Sequence, residues 1–546
     1  MNITFKGLIA LFLVLTTGRV FAQQITLRHN VKKAIETVKP DEIKADIAYL
    51  ADDKLKGRMP GTEGYQMAVD YVVGRLKDLK VKPAGENGTW LQTVRLRKAT
   101  TGKDASVTLI NSGDLVATYG RNISITPNPV LPNVSLNAPL VFAGYGVSEP
   151  QLGYDDYAGL DVKGKIVLIT RGAPTQFSSS VMAHVMNVST ILKTAAQHGA
   201  IGVIVGPADS TARFFGGGNR GVYSVMDAKG NVAVSRSFYA EQVKLSANID
   251  YKTFSALVKQ EDRDLKDILP QLKAGKPQSF ALKAGINAAY HSDYQDIVSY
   301  NIIGKIEGTD RKLKNEYVVH SAHLDHLGIG APIQGDSIYN GAHDNASGVA
   351  SLLGIAKVYS NMRKKPKRSI LVVMVTGEEM GELGSGYFAA YPTVPTKSIV
   401  ADVNTDMPTI IAPLLSITAL GAEHSSLAKQ VDEAAGYLGI SVEPDPEPAQ
   451  ARFTRSDQYS FVVEGIPALH IKYGNKTADG KNNLADIVAP WRAKYYHKPQ
   501  DDINGIFDFE AGKKYAQLNF LIGYLVAQDA AKPVWNAGDI FSISDK

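Results

Sequence analysis

Two stretches, NEYVVHSAHLDHLG (315–328) and RSILVVMVTGEEMGELGS (368–385), decide the fold. Each opens with a run of branched apolar residues, the composition of a strand, and ends on polar side chains able to hold a metal. Between them, AHDNASG (342–348) leads into a segment where Val349, Leu352, Leu353 and Ala356 recur at i, i+3, i+4 and i+7, predicting a helix. The strand pattern also occurs in SYNIIGKIEG (299–308), KSIVADVNTD (397–406) and IPALHIKYG (466–474), and a long helix is predicted around AGKKYAQLNFLIGYLVAQDA (511–530). From about residue 297, therefore, strands and helices alternate. The expected class is α/β, with a mixed, mostly parallel central sheet and helices on both faces.

Outward from this core, PDEIKADIAYLADD (40–53) and YQMAVDYVVGRLKDL (65–79) carry helical spacing, with the Gly/Pro-rich turn GRMPGTEG (57–64) between them. Residues 101–135 read as short strands and turns. From about 137 the composition becomes β-rich, with strands expected in APLVFAGYG (138–146), DVKGKIVLITRG (161–172) and AIGVIVG (200–206). The expected division is 1–22 as a signal peptide, 23–136 as the N-terminal segment of the catalytic domain, 137–290 as an inserted domain and 291–546 as the catalytic domain.

The chain has 546 residues, suited to more than one domain, with 44% hydrophobic and 21% charged residues. Lys6, the apolar run Leu8 to Leu15, and Val20-Phe21-Ala22 stand in the order of a secretory leader cleaved after Ala22. The apolar run is too short to span a bilayer, and no later stretch is transmembrane in character, so no stable membrane insertion is expected. Removing Lys6 and Arg19 lowers the formal charge from +5 to +3. No basic block or aromatic–basic ladder points to nucleic acid. Cysteine is absent, which excludes disulfides, a thiol nucleophile and a lipidated cysteine. A periplasmic or secreted location is expected.

His323, Asp344, Glu379, Asp406 and His497 each follow a predicted strand or lie in a loop. In an open α/β sheet, groups beyond the carboxyl ends of the strands converge. Histidine and carboxylate donors suit Zn²⁺ or a similar first-row ion, and the two oxygens of Asp344 allow it to bridge two ions. Two-metal hydrolysis also needs a carboxylate that takes a proton from water and hands it to the leaving amine, and Glu378 fits because it adjoins a ligand without having to be one. Asp325, two residues after His323, is expected to hold the imidazole tautomer.

HLDHLG (323–328), YNGAHDNASGVA (339–350), TGEEMGELGS (376–385), NTDM (404–407) and YYHKPQDD (495–502) resemble the signature blocks of the bacterial zinc exopeptidases of metallopeptidase family twenty-eight, which includes leucyl aminopeptidases and glutamate carboxypeptidases. The resemblance covers about 297–530. It implies two zinc ions per chain, one held by His323, Asp344 and Asp406, the other by Asp344, Glu379 and His497, with Glu378 as general acid/base. It also implies a cis peptide at Asp344–Asn345. LVFAGYGVSEPQLGYDDYAGLDVKGKIVLITRG (140–172) with AAQHGAIGVIVG (195–206) resembles a protease-associated domain, a non-catalytic insert.

The departures are His343 before Asp344, expected beside the site or exposed rather than on a metal, and Gln458 where many relatives carry His. The leading expectation is an aminopeptidase acting on peptides with a free N-terminus. A glutamate-releasing carboxypeptidase or dipeptidase is the alternative; a carboxypeptidase would need a cation such as Arg452 or Arg455 for the terminal carboxylate. A glutaminyl cyclase is disfavoured by the full ligand set, and a catalytically silent peptide-binding protein by the intact Glu378.

Overall fold

The computed structural model describes residues 27–111, 114–214 and 221–542; the expected leader and its cleavage after Ala22 lie outside them. At the centre, Ser369–Val375, Tyr317–His323, Ile399–Asn404 and Ala468–Tyr473 run side by side as four parallel strands. All residues of three of these strands are buried; Ser369–Val375 accordingly reads as a near-continuous apolar run, while the other two carry buried polar residues, Asp402 and Asn404 in one and His470 and Lys472 in the other. Antiparallel strands flank them: Ser416–Leu420 on one side, and on the other Ser279–Ile306 followed by Leu91–Thr101.

Helices cover both faces. Pro40–Leu50, Ser347–Asn361 and Phe509–Gln528 share one apolar core through Ile43, Ile47, Leu352, Leu518 and Phe520. Leu383–Ala390 and Gln458–Val463 cover the other face through Phe388 and Phe461. Local signals set their starts: Pro40 occupies the first turn of its helix, Thr62 accepts from the Tyr65 amide, and Asp508 accepts from the Ala511 amide.

A second sheet is built from Asn133–Ala143, Ile166–Thr170, Gly202–Gly206 and Leu245–Ile249, parallel neighbours in that order. Val188–Gln197 packs on it through Ile191, Leu192 and Ala195, and Tyr251–Lys259 through Phe254 and Leu257.

The two sheets share a strand. Ser279–Ile306 is 28 residues long. Its first half pairs with Ser106–Asn111 and Asn133–Ala143 in the second sheet, and its second half with Leu91–Thr101 and Ser369–Val375 in the first. The expected boundary at 290/291 falls inside this strand. A hairpin from within 137–290, Val222–Met226 with Val232–Ser235, also joins the first sheet, pairing with Leu91–Thr101 and burying Val225 against Val94, Leu96 and Leu383.

Candidate metal centre

The strand ends deliver the donors. Tyr317–His323 ends on His323, Ser369–Val375 runs into the turn carrying Glu378 and Glu379, and Ile399–Asn404 stops two residues before Asp406. Ala342–Ala346 brings Asp344 in just ahead of its helix, with a cis Asp344–Asn345 peptide. His497 arrives from the loop after Leu484–Tyr495.

These groups converge on Asp344. His323 Nε2 lies 3.3 Å from Asp344 Oδ1 and 3.3 Å from Asp406 Oδ1. The other oxygen, Asp344 Oδ2, is 3.2 Å from His497 Nε2, which is itself 3.1 Å from Glu379 Oε2. All five residues chosen from the sequence are therefore brought together, in two sets that meet at one carboxylate. The donors are of a kind that suits divalent cations: several carboxylates crowded in a buried site with imidazoles are costly to hold without compensating positive charge.

Sequence reasoning missed three residues here. His326 is buried, with Nδ1 2.7 Å from Glu379 Oε1, and forms a compact donor group with Asp344 and Glu379. Its signal lay in the second histidine of HLDHLG. Asp501, in YYHKPQDD, accepts the amides of His343 at 2.9 Å and Asp344 at 3.0 Å, fixing the turn that presents Asp344. Arg58, in GRMPGTEG, is fully buried and donates to the carbonyls of Leu324, Leu50, Asn340 and Gly341. No local pattern marks either role, because each depends on partners far along the chain.

The expectation for Asp325 is corrected. His323 Nδ1 faces the Asp325 main-chain oxygen at 3.2 Å, not its carboxylate. That carboxylate instead accepts the amides of Glu378 at 3.2 Å and Glu379 at 3.3 Å, because the chain turns after the strand and points the side chain at the neighbouring loop. His343 is buried away from the donors: its ring stacks on Phe507 at 4.0 Å and its Nε2 lies 3.0 Å from the Ile506 carbonyl oxygen, and burial pushes its pKa down to about 4. Gln458 is also buried, donating to the Phe453 carbonyl at 2.6 Å and accepting from Asn404 at 3.3 Å.

Electrostatics separate the two neighbouring glutamates. Burial pushes the Glu378 carboxyl well above the usual range, with the carboxylates of Glu379 and Asp406 adding to it against the pull of His323. For Asp344, burial works the same way, but the contacts with His323 and His497 outweigh it and hold the group well below the carboxylate range. The two carboxyls are thus shifted in opposite directions.

Residues 301–518 match the model of peptidase family M28, and residues 136–244 match that of the PA domain. A vacuolar membrane protease of Lodderomyces elongisporus is 33% identical over 114 residues, 21% of this chain and 10% of that protein, so the chain spans about a tenth of that relative. An aminopeptidase from Aneurinibacillus sp. strain AM-1 is similar in fold, with a TM-score of 0.50 at 19% identity, covering 92% of this chain and 97% of that one. A zinc aminopeptidase from Bacillus subtilis aligns over 91% of this chain and 97% of its own, with 20% identity and a TM-score of 0.42.

Proposed function

We propose that the chain is a di-zinc aminopeptidase with an inserted domain, acting on peptides with a free N-terminus; the match of residues 301–518 to the model of peptidase family M28, and of residues 136–244 to that of the PA domain, supports this reading. The observation that carries this reading is Asp344 turning one oxygen to His323 and the other to His497. One ion would be held by His323, Asp344 and Asp406, and the other by Asp344, Glu379 and His497. Bound, the ions supply Lewis acidity that acidifies a water molecule and polarises the scissile carbonyl.

The chain's own groups do the rest. Glu378 takes a proton from the attacking water and delivers it to the leaving amine; its place beside Glu379, without being needed as a ligand, leaves its carboxylate free for both steps. Asp325 holds the Glu378–Glu379 backbone from the amide side. His326 holds the oxygen of Glu379 that faces away from His497.

A glutamate-releasing carboxypeptidase would have to rely on Arg455, because Arg452 is already engaged. Arg452 is tied to Asp445 and, at 3.2 Å, to Glu447, so it is engaged within its own loop. Arg455 is exposed and donates at 3.4 Å to the Gln450 carbonyl. A periplasmic or secreted location rests on the leader sequence; among the described residues no helix is long and apolar enough to cross a membrane.

Metal analysis with a panel of single-residue anilides, dipeptides and N-blocked peptides tests the reading. Two zinc per chain, and chelator-sensitive cleavage confined to free N-termini, are expected. Cleavage of N-blocked peptides with a free C-terminus would replace it by the carboxypeptidase reading.

A further inference from the structure

The loop carrying Glu378 is held at both ends, and the second hold comes from the inserted region. Its amide side is fixed by Asp325. Its other side folds back on itself: the Glu378 carbonyl accepts the amides of Gly381 at 2.8 Å and Glu382 at 2.9 Å. This closure needs left-handed backbone at Gly381 (φ 110°) and at Glu382 (φ 49°), and the second of these is uncommon for a side-chain-bearing residue.

Arg236, one residue past the Val232–Ser235 strand, sits on this turn. Its Nε donates to the Gly381 carbonyl at 3.3 Å, and its guanidinium pairs with the Glu382 carboxylate at 2.6 Å. Its guanidinium also lies over the Tyr459 ring, 5.0 Å from the centroid. The packing leaves no slack: a Cβ at Gly381 would stand 3.0 Å from Arg236 Cγ, and one at Gly386 would stand 2.7 Å from Val234 Cγ1. Tyr459 in turn meets His184 of Ser179–Val185 through a 2.7 Å hydrogen bond between its hydroxyl and Nδ1. The inserted region thus reaches the catalytic loop through Arg236 and braces Arg236 from behind through His184 and Tyr459.

We propose that Arg236 is a positioning residue for the reaction: the hairpin of the PA region clamps the turn after Glu378–Glu379 and thereby aims Glu378. This rests on Glu378 being the proton carrier proposed above. A clamp absent from the metal contacts should act on turnover rather than on zinc or substrate binding. Misplacing a reacting group by a fraction of an ångström is costly when its geometry must be met in the transition state.

The test uses the full-length, zinc-loaded protein with Arg236→Gln, Arg236→Lys and Glu382→Gln. Expected are a fall in kcat of roughly tenfold to a hundredfold for Arg236→Gln with KM within about twofold, unchanged zinc content, and a shifted pH profile of kcat. Arg236→Lys, which keeps the charge but loses the planar fork, should fall between. Should Arg236→Gln not fold, Arg236→Lys decides by the same measures. Hydrogen exchange of residues 376–386 gives a readout independent of any substrate: faster exchange in the variants than in the wild type supports the clamp. Unchanged exchange in these residues overturns it, even if the protein proves to have another activity. Full kcat in a folded variant, or a loss of activity that only follows loss of zinc, overturns it as well.

Discussion

Arg58 donates to the main-chain carbonyl of Leu324 at 2.9 Å, joining residues 266 positions apart. The same guanidinium reaches the carbonyls of Asn340 at 2.6 Å and Gly341 at 3.1 Å, so one buried side chain ties the segment after His323 to the segment before Asp344. Burial lowers its pKa to about 10, still far enough above neutrality for it to stay charged. Arg58→Lys cannot serve four carbonyls in a fork, and it should cost roughly 3 kcal/mol, with reduced zinc occupancy. Thermal unfolding and metal analysis of the purified variant check this; wild-type values in both would show that the carbonyls find other donors.

Glu378→Gln keeps the size of the side chain and removes its ability to take a proton. We expect zinc content to stay at the wild-type level and kcat to fall by roughly 10²- to 10⁴-fold. Steady-state kinetics beside metal analysis measure both. Unchanged turnover would remove Glu378 from proton transfer.

Asp344→Ala should empty both metal positions, since the two histidine-bearing sets meet only at that carboxylate. His326→Gln should instead weaken zinc at one position by roughly tenfold to a hundredfold, the usual effect of removing a group that orients a ligand. Zinc titration with a competing chelator separates these outcomes. Complete loss of one ion from His326→Gln, with retention in His497→Gln, would make His326 the ligand.

The contact between the PA region and the peptidase core should depend on pH. Burial, with the positive charges of Lys193 and His424 nearby, pushes His184 down to about 4. A histidine whose folded pKa lies below its unfolded value of 6.5 contributes stability above 6.5 that is lost as pH falls toward 4, because the unfolded chain takes up the proton first. The shift amounts to roughly 3 kcal/mol at most. His184→Gln removes this dependence, so the difference in stability between variant and wild type should change between pH 7 and pH 4. Parallel unfolding curves for the two proteins would exclude the effect.

The central strands and the main helices were legible because their signals are local: Val349, Leu352, Leu353 and Ala356 mark one helix face without reference to anything else, and all four are buried. His323, Glu379 and Asp406 were legible because strand ends announce them, whereas Asp344 and His497 were picked out by the blocks AHDNASG and YYHKPQDD in which they stand. Arg58, Asp501 and Arg236 were not singled out, because each is defined by what it touches, whereas His326 stood in HLDHLG as a second histidine that was passed over. Nothing near Arg236 in the chain foretells Gly381, and nothing in the Val222–Met226 run foretells that it pairs with residues 95–99 rather than within the second sheet. Asp325 shows the opposite error. Its spacing from His323 suggested a contact with the imidazole, and the direction of the turn sent the carboxylate to Glu378 instead.

The strand Ser279–Ile306 leaves no seam at which to divide the molecule. Any fragment ending near residue 290 would sever a continuous ribbon and split the first sheet between Leu91–Thr101 and residues 292–302, leaving each piece a raw edge with unpaired amides and carbonyls open to other chains. Excised halves would thus be prone to aggregate, whereas the uncut chain keeps insert and peptidase in fixed alignment with no linker to swing on.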